Sequence, residues 1–486
     1  MGSPVIFVSS GWLSEVPFHA ALARALRQQG VEAHVVVMGS KYRRAYAATS
    51  AFAGVHDLCD WMRDHWDAAD STPSAERLSV VEREYGTPSL WQYLAADRHL
   101  CDRPLEYNLR VVLTHAGFWA DLFVRLEPRL LVGEISHFHN YFAWAVARRK
   151  GVAYAHLIPS RIPGHAAIGG PFEHRDRVAA AYQRLLREGT PRELADRARD
   201  YIAAYRARVG RAAHLPPVKR WFEGPVGIGS FEGFVGGLRA WRTHERSFNY
   251  TLRSPVAKAA RWMAVRVRKL AMVAGPYFHA LPNPEPPFVL FGLHLQPESS
   301  TLVRGQFFQD MLAVVRNVAL SLPARYVLYV KEHDVMFGYR PLWFFRELRR
   351  IPNVVCVSPY ESGPELVRRA AMVVAVTGTF GWDAALLGKP ALVLGEPFFA
   401  TYKGIDHVTD MTRLPDLFRR RLNGDFRCDE DDLVRFAAAV FDTIVPASMD
   451  DLWGFRNAGH ASDADVLADA LLEFADAETQ PRRREG

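Results

Sequence analysis

The chain has 486 residues, of which 49% are hydrophobic and 23% are charged. This composition is ordinary for a folded protein of two or three domains, and it excludes a disordered, collagen-like or disulfide-scaffold chain. The formal net charge of +7 at pH 7 fits anionic partners such as nucleotides and phospholipid head groups. It fits equally the Arg- and Ala-rich usage of a high-GC genome, which we favour for the charge as a whole.

The four cysteines are widely separated and form no C-x-x-C pair. They predict neither a disulfide framework nor a zinc site, and a reducing cytoplasm is the simplest setting. The N-terminus lacks the basic region of a signal peptide, and no apolar run reaches the roughly 20 residues of a spanning helix. We therefore expect a cytoplasmic protein, and we leave open a peripheral association with the inner face of the cell membrane.

The first 170 residues alternate between strand and helix patterns. Strand, helix and strand are predicted in turn over 4–9, 18–29 and 31–38. After a mainly helical stretch the same order returns, over 129–134, 138–149 and 152–158. This order is that of parallel βαβ units, so we predict a Rossmann-like domain over 1–170.

The next segment, 171–285, shows no strand pattern, and we predict a helical insertion or linker that ends in the proline-rich 281–287. A second, closely spaced α/β series follows, with strands predicted over 288–293, 326–331, 354–357, 372–376 and 391–394. It predicts a second Rossmann-like domain over 286–430, with helices and a polar tail over 431–486. The predicted fold class is therefore α/β.

The segment 373–395 is the most informative part of the chain. It reads as a strand, a turn formed by Thr377, Gly378 and Thr379, a short helix and another strand. Backbone N–H groups at a helix start can face an anion, and glycine lets a ligand approach the backbone. Asp383 in the first helical turn is placed to accept hydrogen bonds from sugar hydroxyls, so we predict a nucleotide-sugar site. The alternative is a capping threonine with tight glycine packing.

Two further polar loops follow predicted strands of the same half. Lys331, Glu332 and His333 come directly after one strand, where they are costly unless they face a ligand or pair with each other. His333 can donate to a phosphate or protonate a leaving group, while Lys331 and Arg340 can neutralise a diphosphate. The alternative is a surface pair between Glu332 and Arg340 with a solvated histidine. The other loop contributes Gln296 and Glu298.

Transfer to a hydroxyl also needs a base, which we expect in the N-terminal half. Glu134 ends a predicted strand, and Glu15 lies in the loop after the first strand. These two carboxylates are the candidates that we favour, with His137 and Asp97 left as alternatives. We predict no metal ligands, because the acidic runs near 429–432 and 450–451 lie at helix starts, where they complement the helix dipole.

Three motifs of the second half resemble the bacterial capsule polysaccharide synthesis family. They are FGLHLQPESST at 291–301, YVKEHD at 329–334 and TGTFGWDAALLGKPALVLGE at 377–396. The resemblance implies a GT-B-like fold, in which two Rossmann-like domains face a cleft, with a helical insertion and a helical C-terminus. It also implies the activity of a family that includes β-Kdo transferases.

The third motif also looks like the ligand-binding turn of UDP-N-acetylglucosamine 2-epimerases, and by that likeness Asp383 would hold the ribose. One position departs from the pattern, because Kdo and sialic acid transferases of this type carry His-Pro where this chain has His333 and Asp334. UDP-, GDP- and CMP-linked donors therefore all stay open.

The leading hypothesis from these patterns is a metal-independent glycosyltransferase of capsule or surface polysaccharide synthesis. Its partners would be a nucleotide sugar as substrate and a glycan or lipid-linked acceptor, with no cofactor and no nucleic acid. One alternative is a UDP-sugar epimerase or hydrolase on the same scaffold. Another is a non-catalytic GT-B-like scaffold protein.

Overall fold

The computed structural model describes residues 2–67, 75–87, 89–101, 103–170, 174–209, 241, 245–252, 254–279, 285–449 and 461–479. The folded chain divides into two compact units. Unit 1 consists of the described parts of Met1–His174, Leu238–Arg253 and Thr443–Gly486. Unit 2 consists of those of Arg175–Gly237 and Ser254–Asp442.

Thirteen strands lie in the described residues. In chain order they are β1 (Val5–Val8), β2 (Ala33–Val37), β3 (Gly54–Asp57), β4 (Leu130–Gly133), β5 (Ala153–Pro159), β6 (Ala166–Gly169), β7 (Phe288–Gly292), β8 (Val327–Lys331), β9 (Val354–Val357), β10 (Met372–Ala375), β11 (Ala391–Val393), β12 (Ile405–His407) and β13 (Ile444–Val445). Most are short runs of buried apolar residues, as parallel strands covered on both faces require.

The helices connect these strands, either singly or several in succession. In chain order they are α1 (Glu15–Gln28), α2 (Ser40–Ala47), α3 (Leu58–His65), α4 (Ala75–Tyr85), α5 (Leu90–Ala96), α6 (Leu105–Leu126), α7 (Phe138–Arg149), α8 (Arg175–Glu188), α9 (Arg192–Val209), α10 (Glu245–Phe248), α11 (Pro255–Ala274), α12 (Ser299–Leu302), α13 (Met311–Ser321), α14 (Leu342–Arg349), α15 (Gly363–Arg369), α16 (Phe380–Leu386), α17 (Leu414–Arg421), α18 (Glu430–Thr443) and α19 (Ala461–Thr479).

Unit 1 is built on a sheet with the strand order β13-β6-β5-β4-β1-β2-β3. The five strands from β5 to β3 are parallel, whereas β6 and β13 pair antiparallel at the other edge. Helices α1 and α19 pack together over one face, where Leu22 and Leu26 meet Leu467 and Leu471 in a common core. The C-terminal helix thus completes the core of the N-terminal sheet.

Unit 2 is built on a six-stranded sheet with the order β12-β11-β10-β7-β8-β9. All its strands are parallel, which is the doubly wound order of a Rossmann fold. Its core joins apolar residues of the strands, such as Phe291 and Leu328, to Val315 and Phe345 of the flanking helices. The prediction of an α/β chain with two Rossmann-like halves is confirmed.

The division into units differs from the predicted domain boundaries. The segment predicted as an insertion is shared, because α8, α9 and α11 belong to unit 2 and α10 belongs to unit 1. The C-terminal segment is shared as well, because α19 packs on α1, far away in sequence. The sequence patterns did not predict four short strands, β3, β6, β12 and β13. Parts of the linker (281–284), the Gly-rich 223–237 and the acidic 450–451 lie outside the described residues.

Candidate functional site

Each sheet contains a point at which its strand order reverses. In unit 1 this switch point lies between β1 and β4, and in unit 2 it lies between β7 and β10. The connections on either side of such a point leave in opposite directions, which opens a crevice at the carboxyl ends of the strands where ligands bind in open α/β sheets. The loops that carry the predicted site residues follow these strands.

Glu15 lies at the switch point of unit 1. A tight turn after β1, in which the Glu15 N–H donates to the carbonyl of Trp12 (3.2 Å), starts helix α1 at this residue. Ser9 Oγ and the Ser10 N–H donate to Glu15 Oε2 at 2.9 Å and 3.0 Å. The Ser10 side chain adds a further hydrogen bond to this carboxyl group. The loop after β1 therefore holds the Glu15 carboxyl group through neutral donors.

The surroundings of Glu15 favour its protonated form. Burial raises the pKa of Glu15 to about 7, the nearby Glu134 carboxylate adds to the rise, and the donors on Ser9 and Ser10 oppose it. The side chain is only 7% exposed, and the described residues place no cation in an ion pair with it. A carboxyl group with this pKa exchanges its proton near neutral pH, as a general base or acid requires.

A buried histidine supports the loop that holds Glu15. His139 on α7 donates from Nε2 to the carbonyl of Ser9 (2.8 Å), and its Nδ1 lies 3.1 Å from the hydroxyl of Tyr250. Burial lowers the pKa of His139 to about 4, so the ring is neutral at pH 7. With Nε2 donating, Nδ1 accepts from Tyr250. His139 thus links the β1 loop to the start of α7.

The other candidates of unit 1 differ in their roles. Glu134 follows β4 at the switch point and is partly buried, close enough to raise the pKa of Glu15. Gly133 before it is required, because a Cβ there would lie 2.8 Å from the carbonyl oxygen of Val8. His137 is buried with its Nδ1 2.9 Å from Ser136 Oγ. Asp97 is fully buried and accepts the N–H of Phe138 at 2.6 Å, so it anchors the start of α7.

In unit 2 the loops after β7 and β10 are bonded to each other. The Thr377 N–H donates to His294 Nε2 (3.0 Å), and Thr377 Oγ1 donates to the carbonyl of Ser300 (3.0 Å). Burial lowers the pKa of His294 to about 4, which keeps Nε2 free of a proton and able to accept. Gly378 packs on the His294 ring, since a Cβ there would lie 3.2 Å from Nε2. Neither Thr377 nor Thr379 caps α16 with its side chain, so the capping part of the alternative is wrong, whereas the tight glycine packing is present at Gly378.

The loop after β8 holds a buried ion pair. Arg340 Nε donates to Glu332 Oε2 at 2.9 Å, and the Glu332 side chain is completely buried. Arg340 also donates to Gln296 Oε1 (2.9 Å) and to the carbonyl of His294. Gln296 in turn donates to the carbonyl of Gln309 (2.7 Å). The pair is therefore buried, whereas the sequence alternative placed it at the surface. The guanidinium of Arg340 is already bonded to protein groups.

Lys331 is engaged in the same loop. Its Nζ donates to Asp334 Oδ1 (3.0 Å) and to the carbonyl of Pro359 (2.9 Å). Asp334, the residue that replaces the proline of the family pattern, is thus the counter-ion of Lys331. His333 between them is exposed, and its Nδ1 accepts the N–H of Val335 (3.2 Å). The neutral ring then carries its proton on Nε2, where it is available to a ligand.

Asp383 is held by a helix from outside the sheet. The Tyr205 hydroxyl on α9 donates to Asp383 Oδ1 at 2.6 Å, and Trp382 Nε1 donates to the Tyr201 hydroxyl at 3.3 Å. Arg206 of the same helix donates to the carbonyl of Leu386 (2.7 Å) at the end of α16. Burial and the Asp383 charge raise the pKa of Tyr205, so its hydroxyl remains a donor. Helix α9 therefore fixes the position of Asp383.

The structure brings the predicted residues of unit 2 together around β7, β8 and β10. The half-buried Glu298 accepts from Ser300 Oγ at the start of α12. Among the described residues, no three His, Cys, Asp or Glu side chains group as metal ligands. Sequence reasoning missed His294 as a support and Tyr205 as the partner of Asp383. The polar FGLHLQ motif pointed to the first, but no local signal linked Tyr205 to a residue so distant in sequence.

Both units are Rossmann-like, and each carries a carboxylate near the switch point of its sheet. No protein-family model matches the chain, and no curated protein sequence matches it. Its fold does match solved structures. One is KpsC, a β-Kdo 2,7-transferase of Thermosulfurimonas dismutans, with 14% identity over 73% of this chain and 89% of that chain and a TM-score of 0.36.

Two other solved structures illustrate the range of likenesses. The UDP-GlcNAc 2-epimerase of Methanocaldococcus jannaschii matches 90% of this chain and 98% of its own at 10% identity, with a TM-score of 0.27. The spinosyn rhamnosyltransferase SpnG matches 96% and 100% at 13% identity, with a TM-score of 0.26. At such identities and TM-scores these likenesses assign no activity to this chain.

Proposed function

We propose that this chain is a metal-independent glycosyltransferase that uses a nucleotide sugar in the synthesis of capsule or surface polysaccharide. The observation that carries the proposal is the pair of carboxylates at the switch points, Glu15 in unit 1 and Asp383 in unit 2. The resemblance of the sequence motifs to capsule-synthesis transferases supports the same conclusion. The two carboxylates suit different tasks, because the pKa of Glu15 is raised to about 7 and suits proton exchange, whereas Asp383 is held in place by Tyr205.

In this proposal unit 2 binds the donor, a UDP-, GDP- or CMP-linked sugar. Asp383, held by Tyr205, accepts hydrogen bonds from the ribose hydroxyls. The Nε2–H of His333 and the backbone of Gly378 and Thr379 contact the phosphates. Lys331 and Arg340 are paired with Asp334 and Glu332, so in this proposal they support the loop that presents His333.

Unit 1 activates the acceptor, a glycan or a lipid-linked glycan. The ionised carboxylate of Glu15 takes the proton of the acceptor hydroxyl. At the same time the oxygen of that hydroxyl bonds to the anomeric carbon of the donor sugar. The bond from that carbon to the phosphate oxygen breaks, and the electron pair leaves with the nucleotide. Trp12 and Leu13, each 47% exposed just before Glu15, offer an apolar surface to the acceptor. We retain peripheral association with the cytoplasmic membrane face as part of the proposal.

A ligand panel tests the donor assignment first. UDP, GDP, CMP and their sugars are added separately, and the melting temperature is recorded, because a ligand that binds only the folded state raises stability. We expect one nucleotide class to stabilise wild-type protein and to lose that effect in Asp383→Ala. Glu347→Ala, which removes a partly exposed carboxylate of unit 2, serves as the matched control.

The same nucleotide sugars then distinguish the alternatives. Incubation without any acceptor should leave a transferase donor largely intact, whereas an epimerase or hydrolase would yield epimer or free sugar. Rapid turnover of this kind would replace our proposal with the epimerase or hydrolase hypothesis. Absence of any nucleotide-induced stabilisation would favour the non-catalytic scaffold.

A further inference from the structure

A row of buried polar side chains leads from Glu15 into the interior of unit 1. Ser9 Oγ donates to Glu15 Oε2 at 2.9 Å, and the Ser9 hydroxyl is also hydrogen-bonded to the hydroxyl of Tyr46. The Tyr46 hydroxyl lies 2.8 Å from Nδ1 of His19. All four side chains are buried. They therefore form one hydrogen-bonded chain, from His19 through Tyr46 and Ser9 to Glu15.

Three neighbouring elements position this chain. Glu15 and His19 are four residues apart on α1, so they share one face of the helix. Ser9 directly follows β1, and Tyr46 lies on α2, which follows the adjacent strand β2. The His19 ring stacks on that of Tyr46, with centroids 6.0 Å apart, and lies 5.1 Å from the ring of Phe7 on β1. Packing therefore fixes His19 and Tyr46 independently of their hydrogen bonds.

The inner members of the chain are neutral at pH 7. Burial lowers the pKa of His19 to about 3, so its ring carries a single proton. Burial, together with the charge of Glu15, raises the pKa of Tyr46, so its hydroxyl keeps its proton. The Ser9 hydroxyl also has one proton, which it can donate either to Glu15 or to Tyr46. The direction in which the chain donates therefore decides how well Glu15 is served.

The charge of ionised Glu15 sets this direction. A carboxylate only accepts hydrogen bonds, and bonds to a charged acceptor are about twice as strong as neutral ones. Ser9 then donates to Glu15, and Ser9 Oγ accepts from the Gly11 N–H (3.2 Å) and from Tyr46. Tyr46 in turn accepts from Nδ1–H of His19. Because bonds that point the same way polarise one another, the inner bonds strengthen the last one, to Glu15.

We propose that Tyr46 and His19 are positioning residues of the Glu15 site, which hold the Ser9 hydroxyl in the orientation in which it donates to the Glu15 carboxylate. Both act through Ser9 and touch no reacting atom. The inference rests on the proposed function for its catalytic meaning, since there Glu15 takes a proton from the acceptor. It can fail separately, because the ionisation of Glu15 is measurable without nucleotide or acceptor.

Other groups face Glu15 and must be distinguished from the chain. Glu134 after β4 raises the pKa of Glu15 by its charge, and Ser10 donates to the carboxyl group from its N–H and its side chain. Tyr42, one turn before Tyr46 on α2, has its own pKa raised by burial and by Glu15. Substitution of Tyr46 leaves all three groups in place, so their effects on Glu15 persist in the variants.

An infrared titration of the full chain without ligand tests the proposal. The carboxyl band of Glu15 is assigned by its loss in Glu15→Gln. We expect Ser9→Ala to raise the pKa of Glu15 by about one unit, because one charge-assisted hydrogen bond is lost. Tyr46→Phe and His19→Leu should raise it by about half a unit or less, because they weaken that bond without removing it. In the Ser9→Ala background, Tyr46→Phe should add no further shift.

Tyr182→Phe is the matched control. It removes the hydroxyl of an equally buried tyrosine of unit 2, which donates to Asp432 at 2.5 Å. It should leave the pKa of Glu15 unchanged, even where thermal melting shows a loss of stability as large as that of Tyr46→Phe. A general loosening of the fold is thereby separated from an effect that passes through Ser9.

Three results would overturn the proposal. An unchanged pKa of Glu15 in Tyr46→Phe would mean that Tyr46 only packs. A lowered pKa would mean that Tyr46 competes with Glu15 for the Ser9 proton. A full Tyr46→Phe shift in the Ser9→Ala background would mean that Tyr46 acts by another route. Thermal melting checks that each variant is folded, and His19→Leu provides the same test should Tyr46→Phe not fold.

Discussion

Each unit contains a buried glutamate beside the carboxyl end of a parallel strand, and the two differ in their partners. Glu332 in unit 2 has both oxygens bonded, to Arg340 Nε and to the His333 N–H. Glu15 in unit 1 is bonded only by neutral donors, on Ser9 and Ser10. Burial raises the pKa of both carboxyl groups, but Arg340 opposes the rise at Glu332, whereas Glu134 adds to it at Glu15.

The comparison shows how the same residue type becomes structural or reactive. A buried carboxylate with its own guanidinium is a fixed part of the core, and breaking the pair leaves an uncompensated charge. A buried carboxyl group without a neighbouring cation has a raised pKa, so it can exchange its proton near neutral pH. We therefore place the reactive group in unit 1 and regard the Glu332–Arg340 pair as support for the loop that carries His333.

The largest expected effect concerns the reactive member of this comparison. Glu15→Gln should lower the rate of sugar transfer by about 10²- to 10⁴-fold, because an amide cannot take a proton from the acceptor. Initial rates with the matched donor and acceptor measure it. For the wild type, kcat/KM should rise with pH through about 7 as Glu15 ionises. Transfer by Glu15→Gln at a wild-type rate would remove Glu15 from the reaction and leave Glu134 as the base.

The structural member should instead be sensitive in stability. Arg340→Ala leaves Glu332 buried without its cation, so we expect a loss of about 3–5 kcal/mol in the free energy of unfolding. Urea unfolding measures the loss. Arg350→Ala removes the exposed partner of Glu347 and should change stability by less than ~0.5 kcal/mol. Equal effects of the two substitutions would refute the structural role of the buried pair.

A pH series sharpens the comparison further. Glu15 has a pKa of about 7 in the folded chain, against 4.5 for an unperturbed group, so the folded state binds its proton more tightly than the unfolded state. Its contribution to stability is then present at low pH and is lost as pH rises from about 4.5 to 7, by about 3 kcal/mol in total. Glu15→Gln has no ionisable group at this position, so it should not lose stability in this way as the pH rises.

The measurement is the difference in melting temperature between Glu15→Gln and wild type, at about pH 5 and about pH 8. We expect the melting temperature of Glu15→Gln to rise relative to that of the wild type at the higher pH. The exposed Glu32→Gln is the control and should track the wild type at both values. A constant difference between Glu15→Gln and the wild type would mean that Glu15 ionises as an ordinary carboxyl group.

The smallest expected effect concerns the carboxylate of the donor site. Tyr205→Phe removes the hydroxyl that holds Asp383, so the Kd of the donor nucleotide should rise about five- to tenfold, the equivalent of one hydrogen bond. We expect little change in kcat, because Tyr205 positions a binding group and touches no reacting atom. Tyr201→Phe, which leaves the Asp383 contact in place, should change the Kd less than twofold. If the two variants behave alike, α9 only supports the fold.

The sequence predicted best where a pattern is local. Apolar runs located nine of the thirteen strands, and the loops after β7, β8 and β10 meet as expected of the carboxyl ends of neighbouring strands. It predicted less well where a partner is distant. Asp97 has the residue type of a base, yet it accepts the N–H of Phe138. Arg340 has the residue type of a phosphate ligand, yet it is consumed by Glu332 and Gln296.

The shared helix α19 has a consequence for the synthesis of the protein. Leu467 and Leu471 of α19 belong to the same core as Val5 and Phe7 of the first strand. A growing chain therefore exposes the apolar face of α1 until α19 has left the ribosome, whereas every strand of unit 2 emerges before α19. We expect unit 2 to mature first, and the nascent first unit to depend on chaperones that cover its unfinished face.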